Sequence, residues 1–357
     1  MKIYVYAICK NEEKNIDEWV ESMGEADDIF VLDTGSTDRS LKKLKEYGVH
    51  VKKEKIRPWR FDEARNKSLK MVPNDGDLYI CTDLDERFNH GWRKILEEKY
   101  QKDYTRIGYT YNWSFDENDK PATTFILNKI HTRDYKWEHP VHEVLVPLKE
   151  EKILNIPEIV LNHYQKFKNS RKDYLPLLEM SVKESPEDDR NMHYLGREYM
   201  YVKRYDDAIN MLHRHLNNPN AKWKDERCAS MRFLGRCYNE KGYREEAIMW
   251  YSLAIDEAPY LRESYIELAY IFYNNQKYKD AMFLLDKAFL IKDKSLSYIN
   301  ESFAWDYHPY DLYALCAYYL NKKDIAKKYN QIAISLSPNN ERLLNNELLF
   351  DENSVDN

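Results

Sequence analysis

The chain has 357 residues, 43% hydrophobic and 32% charged, enough apolar material for two packed domains beneath a polar surface. A net charge of −6 excludes a general attraction to nucleic acid or to an anionic membrane. Nine glycines against thirty tyrosines favour packed elements over glycine-rich phosphate loops, and neither a G-x-G-x-x-G nor a Walker sequence occurs.

In chain order, Ile3 to Cys9 reads as an apolar strand, too short for a signal peptide or a membrane span and followed at once by acids. The five cysteines are odd in number and form no C-x-x-C pair, so neither a disulfide framework nor a zinc knuckle is expected. Reduced thiols and a cytoplasmic location follow. Asn15, with Glu18 three residues on, predicts a capping box for a helix whose apolar face is Trp19, Val20 and Met23. Ile29 to Leu32 is a second strand, leading into Asp33-Thr34-Gly35-Ser36-Thr37-Asp38. Ser36 and Asp38 read as caps of the next helix, which Gly48 closes. A short strand at Val49 to Val51 and a helix from Phe61 to Val72 follow, the helix stopped by Pro73-Asn74-Asp75-Gly76.

Leu78 then starts the strand that ends in Asp83-Leu84-Asp85-Glu86. A buried strand cannot carry charge in its middle, so these acids belong where the strand leaves the sheet. There both aspartates can turn toward one hard cation. A lone D-x-D is more often a solvated acidic turn, so the reading depends on the upstream loops. Strand and helix alternating in this way predict a parallel sheet, whose carboxyl-terminal edge is where ligands bind.

Asp33-Thr34-Gly35-Ser36-Thr37-Asp38, Ala64-Arg65-Asn66 and Asp83-Leu84-Asp85-Glu86 together resemble the donor half of the family 2 glycosyltransferases, which have the GT-A fold. The chain departs from that pattern in the first loop, where Ile8-Cys9-Lys10-Asn11 replaces the usual Pro and Tyr, and at Thr34, which replaces a second Asp. The resemblance implies a donor site of Ile8, Asn11, Asp33, Arg65, Asp83 and Leu84, with Asp33 at the nucleotide base and Arg65 near the phosphates. It implies that Asp85 holds Mn²⁺ or Mg²⁺. His163 and His142 compete to complete the metal shell, with His163 preferred because it follows the apolar run Ile159-Val160-Leu161.

Residues 105–131 alternate as antiparallel strands do. Trp137 to Val144 resembles the segment before the repeats in tetratricopeptide-linked members of the same family. Displacement at an anomeric carbon needs a base for the acceptor proton, and Glu143 is the first choice, with Glu138 and Asp116 as alternatives. Glu143 as a mere loop anchor is the competing reading.

After a predicted linker helix at 166–187 the sequence repeats. Leu195-Gly196-Arg197 is echoed by Leu234-Gly235-Arg236, and Ala247 to Ala281 spans 34 residues, the tetratricopeptide period. A fourth unit follows an insertion at Lys294 to His308, and an acidic tail is expected over 346–357. The expected architecture is therefore an α/β GT-A nucleotide-sugar domain at 1–165 followed by an all-α tetratricopeptide solenoid at 188–345. The resemblance as a whole, which extends to enzymes that glycosylate bacteriocin peptides, implies an inverting, metal-dependent transferase. It would move a sugar from a nucleotide-sugar donor, a UDP-hexose being favoured, to a peptide or protein acceptor. The repeats would select that acceptor through a concave face bearing Arg197, Tyr201, Arg232, Arg236 and Tyr270. A homodimer through the repeats, a transferase acting on a glycan or modified nucleic acid, and a non-catalytic scaffold are the alternatives.

Overall fold

Strand β1 (Ile3–Cys9) lies at the centre of a sheet whose two faces are both covered, and its sequence alternates accordingly. Ile3, Val5, Ala7 and Cys9 pack with Trp19 and Met23 of α1 (Ile16–Met23) on one face. Tyr4 and Tyr6 turn to the other, where they meet Leu69 and Trp137. The computed structural model describes residues 1–116, 119–164 and 174–352. It divides into two units, Met1–Pro186 and Glu187–Asn357.

The first unit continues with β2 (Asp28–Asp33), α2 (Ser40–Glu46), β3 (His50–Lys53), α3 (Phe61–Met71), β4 (Leu78–Cys81), β5 (Glu86–Phe88) and α4 (Trp92–Lys99). Strands β6 (Arg106–Phe115), β7 (Pro121–His131), β8 (Tyr135–Glu138), β9 (Val144–Pro147) and β10 (Ile153–His163) follow, then α5 (Leu175–Glu184). The eight-stranded sheet has the order β3-β2-β1-β4-β7-β6-β10-β5, and β8 and β9 form a separate antiparallel pair. β1 pairs parallel with β2 and β4, so the loops after Cys9, Asp33 and Cys81 leave the sheet side by side. Strand order reverses at β1, and ligands collect at such switch points in open α/β sheets. This is the mixed sheet expected of a GT-A fold.

Three local expectations need correction. Asn15 makes no side-chain cap. Its own backbone is helical, and its amide donates back to Glu12 Oε2 at 2.7 Å. Ser36 is not a cap either, because its Oγ accepts the Asn11 N–H at 2.9 Å and joins the first two loops. Helix α5 is part of the first unit rather than a linker. Leu177, Leu178 and Val182 are buried, and Glu184 pairs with Arg60 at 2.7 Å. Residues 165–173 of the predicted linker helix lie outside the described residues.

The second unit is a run of helix hairpins: α6 (Asp189–Tyr201) with α7 (Tyr205–Asn217), α8 (Lys224–Glu240) with α9 (Arg244–Glu257), α10 (Arg262–Asn274) with α11 (Tyr278–Leu290), and α12 (His308–Tyr319) with α13 (Lys323–Leu336). Each hairpin turns through one left-handed residue, Lys203, Gly242, Gln276 and Asn321 in turn. The N–H that follows returns to the carbonyl five residues back, as Tyr243 does to Tyr238 at 2.9 Å. That is the Schellman closure, repeated four times. The small residues of the repeat are contact points. A Cβ on Gly235 would stand 2.8 Å from the Tyr251 ring, and one on Gly196 2.7 Å from Leu212. Ala208, Ala247, Ala281 and Ala326 are wholly buried. The architecture is a tetratricopeptide solenoid. The acidic tail expected from residue 346 is instead helical through Glu352 in α14 (Glu341–Glu352), because Phe350 is buried against Tyr318. Residues 353–357 lie outside the described residues.

A Cβ on Gly242 would meet no atom within 4 Å, so the value of this glycine lies in backbone conformation alone. Gly242→Ala should cost about 1 kcal/mol in urea unfolding, the penalty of a left-handed alanine. An unchanged midpoint would show that this turn carries no such strain.

Candidate active site

Arg65, in the second turn of α3, is only 3% exposed, so its charge has to be met inside the protein. Its Nη2 donates to Asp83 Oδ1 at 2.9 Å, its Nη1 to Cys81 Sγ at 3.3 Å, and its Nε to Glu143 Oε1. The guanidinium lies 5.2 Å from the Trp137 ring centre. Neighbouring Asn66 fixes that tryptophan, accepting its N–H at 2.9 Å and donating to its carbonyl at 2.8 Å. The Ala64-Arg65-Asn66 turn thereby joins the strand exit at Asp83 to the segment carrying Glu143.

The sequence alone does not single out Lys129 of β7. The available signal is a lone lysine inside the apolar stretch Ile126 to Ile130. Its Nζ lies 3.5 Å from Asp83 Oδ2 and 3.8 Å from Glu86 Oε1. Glu86, almost fully buried, accepts the Asp83 N–H at 2.8 Å and the Tyr111 hydroxyl at 2.7 Å. Burial works against charge on Asp83, but Arg65 and Lys129 outweigh it and hold the carboxyl well below the usual range. Burial pushes the Glu86 carboxyl up, with Lys129 opposing.

Asp85 meets a different environment. His163, the last residue of β10, places Nε2 3.3 Å from Asp85 Oδ2, while its Nδ1 is 3.0 Å from the Trp113 carbonyl. A carbonyl only accepts, so Nδ1 carries a proton and Nε2 of the neutral ring presents a lone pair to the carboxylate. Two lone pairs so placed call for a positive charge, either a proton on Nε2 or a cation beside both atoms. Burial resists charging His163, but Asp85 prevails and raises the imidazole above its ordinary value. Two ligands of one small dication stand about 3 Å apart, and a ligand histidine usually donates its other N–H to a carbonyl or carboxylate. The pair fits such an ion. Burial likewise pushes the Glu12 carboxyl up against a hydrogen bond from Asn15, and nearby Asp85, Asp83 and Asp38 add to the push.

Asp33 is wholly buried at the end of β2. Its Oδ1 accepts the N–H groups of Gly35 and Ser36 at 3.0 and 3.1 Å, whereas its Oδ2 has no hydrogen-bond partner. Asn11, with φ of 60°, accepts the Thr37 N–H at 2.8 Å and so holds the first loop against the second. Ile8 packs with Leu32, Ile56 and Ala64 beside Trp59. The Leu84 side chain is buried in the core and its carbonyl accepts from Arg87 at 2.7 Å, so only its backbone faces a ligand.

The other sequence candidates have these neighbours. His142 is in the left-handed region, its ring 6.5 Å from that of Tyr174. Glu138 pairs with Lys136 at 2.6 Å, and Asp116 accepts the Lys120 N–H at 2.9 Å in the β6–β7 hairpin. In the second unit the expected concave groove is partly filled by the chain itself. Glu301 of the 294–308 insertion pairs with Arg232 and Arg236, and the Glu301 N–H donates to Glu263 at 3.1 Å. Arg232 is fully buried and does not line an open surface. A cleft of about 280 Å³ remains, lined by Arg236, Asn239, Tyr251, Glu267, Tyr270 and Phe303, among others.

Residues 4–147 match the family model described as glycosyl transferase family 2. No curated protein matches the chain. Solved structures that are similar include a crystal structure of MamA protein, at 17% identity over 48% of this chain and 85% of that one, with a TM-score of 0.37. Another is the C-terminal part of a TPR repeat-containing protein from Cytophaga hutchinsonii, at 17% identity over 51% and 65% with a TM-score of 0.42. A third is a thermophilic TPR protein in Thermus thermophilus, at 15% identity over 50% and 90% with a TM-score of 0.38. All five cysteines are free and buried, and among the described residues no helix is long and apolar enough to cross a membrane.

Breaking a buried ion pair from one side strands the other charge. Arg65→Met should therefore lower unfolding stability by about 3–5 kcal/mol in denaturant titration. A loss under about 1 kcal/mol would mean that Asp83 and Glu143 do not depend on this guanidinium.

Proposed function

We propose that this family 2 glycosyltransferase domain, followed by a tetratricopeptide solenoid, is an inverting, metal-dependent enzyme that moves a hexose from a UDP-sugar to a peptide or protein. The facing of Asp85 Oδ2 and His163 Nε2 carries the reading. Asp85 and His163 are the residues that would hold Mn²⁺ or Mg²⁺. When bound, the dication supplies positive charge to a diphosphate leaving group. Asp33 supports a uridine donor, since its unpartnered Oδ2 is an acceptor of the kind the uracil N3–H requires. Arg65 and Lys129 bring positive charge to the same edge of the sheet, with Asp83 holding both cations in place.

The acceptor nucleophile attacks the anomeric carbon as the bond to the diphosphate oxygen breaks, and the acceptor proton passes to a base. Glu143 is the residue proposed for that proton. Its pairing with Arg65 gives it a second task, fixing the guanidinium, and the two tasks separate by experiment. The repeats are proposed to select the acceptor. The cleft between Arg236 and Phe303 offers aromatic, amide and charged groups to a peptide, and a polypeptide is favoured over a glycan or nucleic acid on that chemistry.

Asp85→Ala should abolish Mn²⁺-dependent UDP binding in isothermal titration and remove sugar transfer, with the unfolding midpoint nearly unchanged. Full transfer by this variant, or full activity of the parent in excess chelator, would overturn the metal assignment.

Glu143→Gln should lower kcat by a factor of about 10²–10⁴ and leave UDP affinity within about threefold. If nucleotide affinity collapses while kcat at saturation holds, Glu143 positions Arg65 and the base lies elsewhere.

A further inference from the structure

The second unit contains a buried polar cluster that the transferase reading does not use. Asp189 is in the first turn of α6, His215 in the last turn of α7, and Glu226 in the first turn of α8. One potential ligand atom from each lies within 4.8 Å of the others. His215 is fully buried and Glu226 is 4% exposed. The cap of α6 is made by Asp188, whose carboxylate accepts the Asn191 N–H at 2.7 Å, so Asp189 is not the capping group.

His215 has no hydrogen-bond partner at either ring nitrogen. Its Nε2 is 3.4 Å from Glu226 Oε1, close enough for an ion pair yet without hydrogen-bond geometry. That separation matches two ligands of one tetrahedral ion. With metal–ligand bonds of about 2.0–2.1 Å, neighbouring donors stand about 3.4 Å apart and aim at a common point rather than at each other.

The surroundings fit the same reading. Tyr298 donates its hydroxyl to Glu226 Oε2, which orients the carboxylate and leaves Oε1 toward His215. His193, one helical turn after Asp189, brings a second fully buried imidazole, with its ring centre 5.5 Å from that of His215. Its Nδ1 is 2.7 Å from Ser230 Oγ, and its Nε2 has no partner. Two carboxylates would balance a dication, leaving no net charge in the interior. Imidazole and carboxylate donors in a small buried site suit zinc-class ions better than Mg²⁺ or Ca²⁺, which want six or more oxygens.

We propose that Asp189, His215 and Glu226 bind one zinc-class divalent ion that clips α6, α7 and α8 together. The site is structural, within the first repeats, and independent of the acidic strand exit of the first unit.

The test uses full-length protein carrying Asp85→Ala, so that the strand-exit acids do not contribute, stripped with chelator and titrated with Co²⁺. One equivalent should bind with the intense visible bands of a tetrahedral nitrogen–oxygen site, and Zn²⁺ should displace it. Adding Asp189→Asn or His215→Gln should weaken binding by more than the ~10–100-fold typical of losing an outer-shell partner. Asp189 is partly exposed, so its variant should keep the parent's metal-free melting curve, and Zn²⁺ should raise the melting temperature of the parent but not of this variant. A folded parent that binds no Co²⁺, or Co²⁺ binding and spectra unchanged in both variants, would overturn the proposal.

Discussion

The first unit depends on one constraint, that a guanidinium taken out of water must be met by acids. Arg65 is buried by α3 and satisfied from two directions, by Asp83 at the end of β4 and by Glu143 after β8. Neither acid is close to it in sequence, so the ion pairs lock together chain segments that local structure would leave independent. Burial alone would disfavour the charge on Arg65, yet Asp83 and Glu143 hold it firmly protonated. Removing Arg65 would leave Glu143 without its buried counter-charge and Asp83 with Lys129 alone.

The same constraint divides labour between two aspartates that look equivalent in sequence. Asp83 spends its charge on Arg65 and Lys129. Asp85 faces an imidazole whose proton is committed to the Trp113 carbonyl. One carboxylate is thus paired with two cations of the protein, while the other faces a single imidazole, which it raises above its ordinary value.

The second unit handles buried charge in a similar way. Arg232 and Arg236 share Glu267 and Glu301, and Glu301 belongs to the insertion rather than to a repeat helix. The insertion also brings Tyr298 to Glu226 and Trp305 to within 4.0 Å of Arg262. A segment that interrupts the repeat pattern in sequence therefore supplies counter-charges and rings to the repeat helices.

By itself the sequence determined the elements and their edges. The apolar run Ile3 to Cys9, the apolar run ending at Asp83 and the 34-residue recurrence of alanine and glycine are local signals, and local signals survive without a fold. They were enough for the GT-A sheet, the solenoid, and the placing of Asp33, Asp83 and Asp85 at strand exits. What only the tertiary structure decided is which groups meet. Lys129 reaches Asp83 because β7 pairs with β4, a contact no spacing in the sequence announces. His163 faces Asp85 because β10 ends beside the β4 exit, where the Tyr164 N–H donates to the Asp85 carbonyl at 2.8 Å. His215, Glu226 and Asp189 lie on three successive helices, and their convergence depends on packing. Pairing of buried charges is a long-range energy, fixed by three-dimensional proximity, whereas periodicity and turn chemistry act between near neighbours along the chain.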